Sequence, residues 1–173
     1  MLLHPQLGSW TVIGSVVTDA PIQGQSESPH DGCGTCRRCS TDCPTGAIDE
    51  FGVLDANKCL AWLLQAKGTF PRRYRTALGD RLYGCDDCQV LCPINDEAMN
   101  ASGTILPKDS KVDIVALLDS SDEELMKEFG HWYIPRRRPE YLRRNALIVL
   151  GNSQIHDDLE VDRVLENCLM ASE

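Results

Sequence analysis

The sequence predicts an α+β fold, mostly α. Three features carry that expectation: a β-branched stretch at residues 9–18, a sixty-residue window holding eight of the nine cysteines, and helical periodicity from about residue 111 onward. Composition permits it. Of 173 residues, 42% are hydrophobic and 25% charged, the ordinary balance of a soluble domain, and the length suits one domain or two small ones. No run approaches eighteen apolar residues, so no spanning helix is expected. The opening MLLHPQLGSWTVIG lacks a basic n-region and is interrupted by Pro5 and Gly8, unlike a secretory signal. With no mark for export, the cysteines speak for metal ligation over disulfides, and the composition points to a cytoplasmic metalloprotein.

The first element, residues 9–18 (SWTVIGSVVT), alternates roughly and reads as a strand with Gly14 as a possible bulge. A lone strand has nothing to pair with, so it reads best as the last strand of a sheet whose other members lie elsewhere. Residues 20–31 form a polar linker of Pro, Gly, Ser and Gln. The cysteine domain follows over 32–108, with a short helix expected at 58–67 (KCLAWLLQAK). A helical region occupies 109–173. There Ser121 and Glu124 fit a capping box, Pro139 suits a first helical position, and Leu142, Ala146, Val149 and Leu150 recur at helical spacing. Gly151 and Asn152 end that helix. Val161, Val164, Leu165, Cys168 and Leu169 stripe the next. A single helical pair cannot bury its apolar face alone and should dock on the cysteine domain.

The net charge of −9 excludes a chain coated in positive charge. Eight of its seventeen basic residues nevertheless sit in two stretches: Arg72, Arg73 and Arg75, then Arg136, Arg137, Arg138, Arg143 and Arg144. Such stretches could meet a polyanion or simply be solvated surface.

The cysteine spacing is the specific signal. Cys33-x2-Cys36-x2-Cys39-x3-Cys43-Pro44 is the bacterial ferredoxin run, whose fourth cysteine ligates the other cluster. Cys85-x2-Cys88-x3-Cys92-Pro93 repeats the ending, and Cys59 stands upstream. Applying the crossover to both halves assigns Cys33, Cys36, Cys39 and Cys92 to one 4Fe–4S cluster and Cys43, Cys59, Cys85 and Cys88 to the other. Eight thiolates satisfy two cubanes. The competing zinc reading needs two separated C-x2-C pairs and explains neither the triple run nor the repeated Cys-Pro. Cys168, on an apolar helical stripe, reads as a small buried hydrophobe. The core is thin for such a segment, so iron should staple it, with Trp62 expected over the second cluster as a screen from water.

These motifs, Tyr83-Gly-Cys-Asp-Asp-Cys-Gln-Val-Leu-Cys-Pro-Ile-Asn95 above all, resemble epoxyqueuosine reductase. Residues 142–152 resemble that family's HEAT-like helical repeat, and His4-Pro-x2-Gly8-Ser-Trp10 the end of its cobalamin-binding domain. The resemblance implies a ferredoxin-like double 4Fe–4S domain between a 1–19 remnant of that cobalamin domain and the helical repeat. It implies a cobalamin-dependent oxidoreductase that reduces epoxyqueuosine to queuosine in the tRNA anticodon, fed by an external electron donor. The family's catalytic aspartate and most of its corrin pocket have no counterpart here, so no catalytic residue is expected in this chain and the missing domain is expected as a partner. His4, Cys85 and Asp86 would face cobalamin. Lys67, Arg72 and Arg73 would meet tRNA phosphates. The chain departs from the family at Ala61-Trp62, where Ser-Tyr is common, and at Ile94, where Trp is usual. That leaves open a paralogue with another substrate. Two further readings remain: a free-standing two-cluster ferredoxin-like electron carrier, and a cobalamin-dependent reductive dehalogenase, whose usual export signal is missing.

Overall fold

A computed structural model describes residues 3–4, 7–22, 24, 32–50, 52–96, 111–153, 155 and 158–170. Most of the expected 20–31 linker and the 108/109 boundary lie outside them. The helices are α1 (Arg38–Thr41), α2 (Leu60–Leu63), α3 (Arg75–Leu78), α4 (Asp87–Val90), α5 (Ile114–Asp119), α6 (Asp122–Phe129), α7 (Glu140–Asn152) and α8 (Leu159–Met170). None is long and apolar enough to cross a membrane.

The fold is α, not α+β. Among the described residues the only β pairing is an isolated antiparallel bridge between His4 and Gly8. The expected strand at 9–18 does not form because no described residue pairs with it as a neighbouring strand. Val12, Val16 and Val17 are 102%, 90% and 99% exposed, and residues 12–17 make no backbone hydrogen bond to any described residue. β-branched composition favours a pleated, half-buried surface only where a neighbouring strand supplies one.

The two helical caps have separate origins. Asp113 accepts from the Val115 and Ala116 amides at 3.0 Å each and starts α5. Ser121 and Glu124 form the full capping box that starts α6. Pro139 sits one position earlier than expected, as the residue before α7, with φ −66° already helical. The stripe of α8 is narrower than its sequence suggests. Val161 and Val164 are buried and Cys168 packs against the same core, but Leu165 and Leu169 are exposed.

Helix α7 is the keel of the molecule. Leu142, Ala146 and Leu150 face a core shared with α5, α6 and α8, while Ile148 and Val149 join Leu60, Leu63, Leu64, Phe70 and Leu78 in a second. Its polar side chains are equally committed. Arg144 donates to the carbonyls of Leu63, Leu64, Ala66 and Gly68 at 2.6–3.1 Å and to Asn145 Oδ1. Asn145 donates to Leu64 and Leu82, and Asn152 to Arg75 and Gly79. Arg143 donates to Leu118 and Ser120 and pairs with Asp122. The open carbonyl ends of α2, α3 and α5 are thus closed from one helix. The helical half docks on the cysteine half as expected, but Arg143 and Arg144 are fasteners and not a surface for polyanions. Burial lowers the Arg144 pKa, and the Tyr141 hydroxyl opposes that.

Candidate metal centres

Two cavities open in the cysteine half. One is lined by Cys33, Cys36, Cys39 and Cys92, with Arg38 and Ile94 at its wall. The other is lined by Cys43, Cys59, Cys85 and Cys88, with Ala47 and Leu60 among the residues that close it. Each motif therefore sends its Cys-Pro cysteine to the neighbouring cavity.

Short helices produce this arrangement. Helix α1 carries Cys39 and packs on α4, which carries Cys88. Ser40 ties the first loop to the second by donating to the Ile48 carbonyl at 2.7 Å. Arg81 grips Asp87, the first residue of α4, in a fork at 2.8 Å to each carboxylate oxygen. The Asp86 carbonyl accepts from Gln89 and Val90, so Cys85 and Cys88 face the same side of this turn. Cys92 is buried, Cys36 exposed, and the other six lie between.

The thiols differ in electrostatics. Burial pushes Cys43 up, but amide hydrogen bonds from Thr45, Ala47 and Ile48 outweigh it, and the thiol is held below its ordinary value. The Ala47 amide reaches Cys43 Sγ at 3.2 Å. Burial raises Cys85, and the charges of Asp87 and Cys59 add to it, against the Asp87 amide and Arg81. Cys88 is pushed up to about 11 by burial, then by the neighbouring Cys85, Cys59, Cys39 and Asp86. Since Cys39 lines the first cavity and Cys88 the second, the two sites are electrostatic neighbours.

The N-terminal segment docks beside these sites. Asn95, 1% exposed, accepts from the Ser9 amide at 2.6 Å and donates to Ser9 Oγ and the Gln89 carbonyl at 2.7 Å each. Ser9 Oγ donates on to Gln89 Oε1, and Gln89 Nε2 donates to Asp86 Oδ1. Gly8 has φ +63°, and a Cβ there would lie 2.1 Å from Asn95 Oδ1, so both the conformation and the approach require glycine. This amide network was not visible in the sequence. The only signal was Asn95 directly after Cys92-Pro93-Ile94, which by itself names no partner.

The remaining expected site residues are scattered. His4 is exposed and caps its own turn, accepting from the Leu7 amide at Nδ1. Asp86 is exposed, and neither His4 nor Asp86 lines a cysteine cavity. Lys67, Arg72 and Arg73 are exposed on one short segment, where Arg73 lies over the Tyr74 ring at 4.7 Å. Trp62 does not screen the second cavity. It is 54% exposed, because α2 turns Leu60, Leu63 and Leu64 inward and leaves Trp62 on the opposite face. Leu60 closes that cavity instead.

A family model for a 4Fe-4S double cluster binding domain matches residues 32–95. An uncharacterized protein from the gldA 3′ region of Geobacillus stearothermophilus is 38% identical over 150 residues, 85% of this chain and 69% of that protein. The epoxyqueuosine reductase of Staphylococcus aureus is 35% identical over 167 residues, 95% of this chain and 42% of the relative. A solved epoxyqueuosine reductase bound to an epoxyqueuosine-modified tRNA-Tyr stem loop matches with a TM-score of 0.66 and 32% identity, over 88% of this chain and 41% of that one. The chain spans about two fifths of the length of the epoxyqueuosine reductases it matches.

Proposed function

The chain belongs to the epoxyqueuosine reductase family, and from that membership we propose that it is the electron-delivering part of a cobalamin-dependent enzyme that reduces epoxyqueuosine to queuosine in tRNA. The observation that carries this reading is the pair of cavities, each walled by four cysteines drawn from both motifs. Cys33, Cys36, Cys39 and Cys92 would hold one 4Fe–4S cluster, and Cys43, Cys59, Cys85 and Cys88 the other. A zinc site would gather four thiolates at about 2.3 Å around one metal and accounts for neither the triple Cys-x2-Cys run nor the repeated Cys-Pro. Thiolates of a cubane sit on separate irons and need no such convergence.

Bound there, the clusters supply one-electron transfer. The protein's own contribution is arrangement. Ala47 and Leu60, each 1% exposed, keep water from the second site, and the Ala47 amide hydrogen-bonds the Cys43 sulfur, a contact that tunes potential. Cys39 and Cys88, carried on the packed helices α1 and α4, would hold the two clusters side by side. The network from Asp86 through Gln89 and Ser9 to Asn95 fixes the N-terminal segment against the second motif. The described residues do not enclose a corrin, since His4 and Asp86 are exposed and share no cavity with Cys85.

It follows that reconstituted protein supplied with cobalamin and a reductant, and with no other polypeptide present, should leave epoxyqueuosine in tRNA unreduced. Turnover under those conditions, followed by nucleoside mass spectrometry, would overturn the assignment of the corrin pocket to polypeptide beyond these residues. The same lack of an enclosed corrin is what favours the second reading, a free-standing electron carrier. RNA binding separates the two. Replacing Arg72 and Arg73 by alanine should weaken tRNA binding and flatten its dependence on salt by up to about two counterions, because two exposed phosphate contacts are lost. An unchanged slope in a filter-binding titration returns both arginines to solvated surface. No binding at all leaves the carrier.

A further inference from the structure

We propose that Tyr133 and the arginine turn after it form a contact for unpaired bases of an RNA loop, an inference that rests on the RNA-acting reading above and deepens it. The turn is held rigidly. Trp132 stacks on Tyr83 at 4.8 Å and 21° and packs against Phe129 at 4.8 Å. Tyr83 donates its hydroxyl to the Tyr133 carbonyl at 2.8 Å, and Ile134 is 5% exposed. Arg137 donates to the Gly130 carbonyl, and Pro135 and Pro139 fix the chain on either side.

Within that frame Arg136 and Arg137 have φ of +55° and +52°. Two successive non-glycine residues in the left-handed region are uncommon and cost free energy, and such conformations gather at ligand clamps and switch segments. The strain serves no visible packing purpose at Arg136, which is exposed and has no hydrogen bond or ion pair to any described residue. Arg138, by contrast, pairs with Glu140. Beside it the Tyr133 ring is 70% exposed on a backbone that cannot move away. An exposed ring and an unpaired guanidinium on a fixed turn suit a splayed base and its phosphate. A paired helix hides its base faces, so the ring suits bases of a single-stranded loop. Tyr83, whose hydroxyl holds this turn, lies two residues before Cys85 in the chain.

The test uses cluster-loaded full chain and fluorescence anisotropy with three probes: an anticodon stem-loop RNA, the same stem as a loopless duplex, and poly-glutamate. Tyr133→Ala should weaken stem-loop binding at least about fivefold, the lower end of one lost base stack, and Tyr133→Phe should restore it. Arg136→Ala should lower the salt slope by about one. Duplex and poly-glutamate binding should not change with Tyr133. Arg136→Gly, which fits the left-handed conformation freely, should weaken RNA binding with the melting temperature unchanged or raised. Equal losses on all three probes would mean a general anion or acidic-protein surface and overturn the proposal. So would unchanged stem-loop affinity in both variants, or a lower melting temperature in Arg136→Gly, which would make the strain structural. If the unsubstituted chain fails to bind the stem-loop, the RNA-acting reading itself falls, and the patch with it.

Discussion

Replacing Cys33 and Cys36 together by alanine should halve the iron of anaerobically reconstituted protein, from about eight atoms per chain to about four. Adding Cys92→Ala should then remove no more, while adding Cys43→Ala should remove the remainder. Chain proximity predicts the reverse, because Cys92 follows Cys88 by four residues and Cys43 follows Cys39 by four. The cavity walls decide otherwise: Cys92 stands with Cys33, Cys36 and Cys39, and Cys43 with Cys59, Cys85 and Cys88. The second site should survive loss of the first because its surroundings are packed independently, through Leu60, Leu63, Leu64 and Phe70 against Ile148 and Val149 of α7. Residues 32–46 contribute no buried hydrophobic side chain. Chelating all iron should therefore unfold that segment while α5–α8 keep their helical circular dichroism. Iron analysis is the check. Further iron loss on adding Cys92→Ala to the double variant would show that the thiolates do not cross.

Arg144→Met should lower stability by about 3 kcal/mol, seen as a melting temperature roughly 6–12 °C lower. The guanidinium serves four carbonyls at the end of α2 and beyond it; Leu64 keeps Asn145 and Leu63 keeps the Ala66 amide, while the Ala66 and Gly68 carbonyls lose their donor among the described residues. Methionine keeps part of the stem but loses the guanidinium's place over the Phe70 and Tyr141 rings, at 5.9 and 5.5 Å, so the loss reports hydrogen bonds and ring contacts together. Arg144→Lys should recover only a minor part, because one ammonium cannot span a fork of carbonyls. Thermal denaturation measures both. A loss below about 0.5 kcal/mol, the scale of an ordinary surface substitution, would show that water replaces the side chain and that α7 is held by its apolar faces alone.

The features legible in the sequence were those that a local pattern determines. Ser121 and Glu124 announced their capping box because both partners lie within one turn. Leu142, Ala146, Val149 and Leu150 announced a buried face because helical period alone places them together. The crossover rule of the ferredoxin motif sorts the cysteines four and four, and the same sets line the two cavities, while the clusters themselves await the iron analysis. What was not legible depends on partners distant in the chain. Residues 9–18 have the composition of a strand but no neighbour to pair with. Trp62 is turned outward by a helix only four residues long, whose register no periodicity fixes. Arg143 and Arg144 look like surface charge, and only the arrival of the α2 and α5 carbonyl ends makes them internal fasteners. Asn95 and Asn145, each 1% exposed, read as ordinary polar residues until the groups they satisfy are brought to them.

The bare stretch from Val12 to Val17 has a consequence for how the molecule behaves in company. It carries no charge, its valines face solvent, and its amides and carbonyls are unclaimed by any described residue, which are the properties of a template for edge-to-edge pairing. Such a segment offers pairing to another strand without any helix having to unfold.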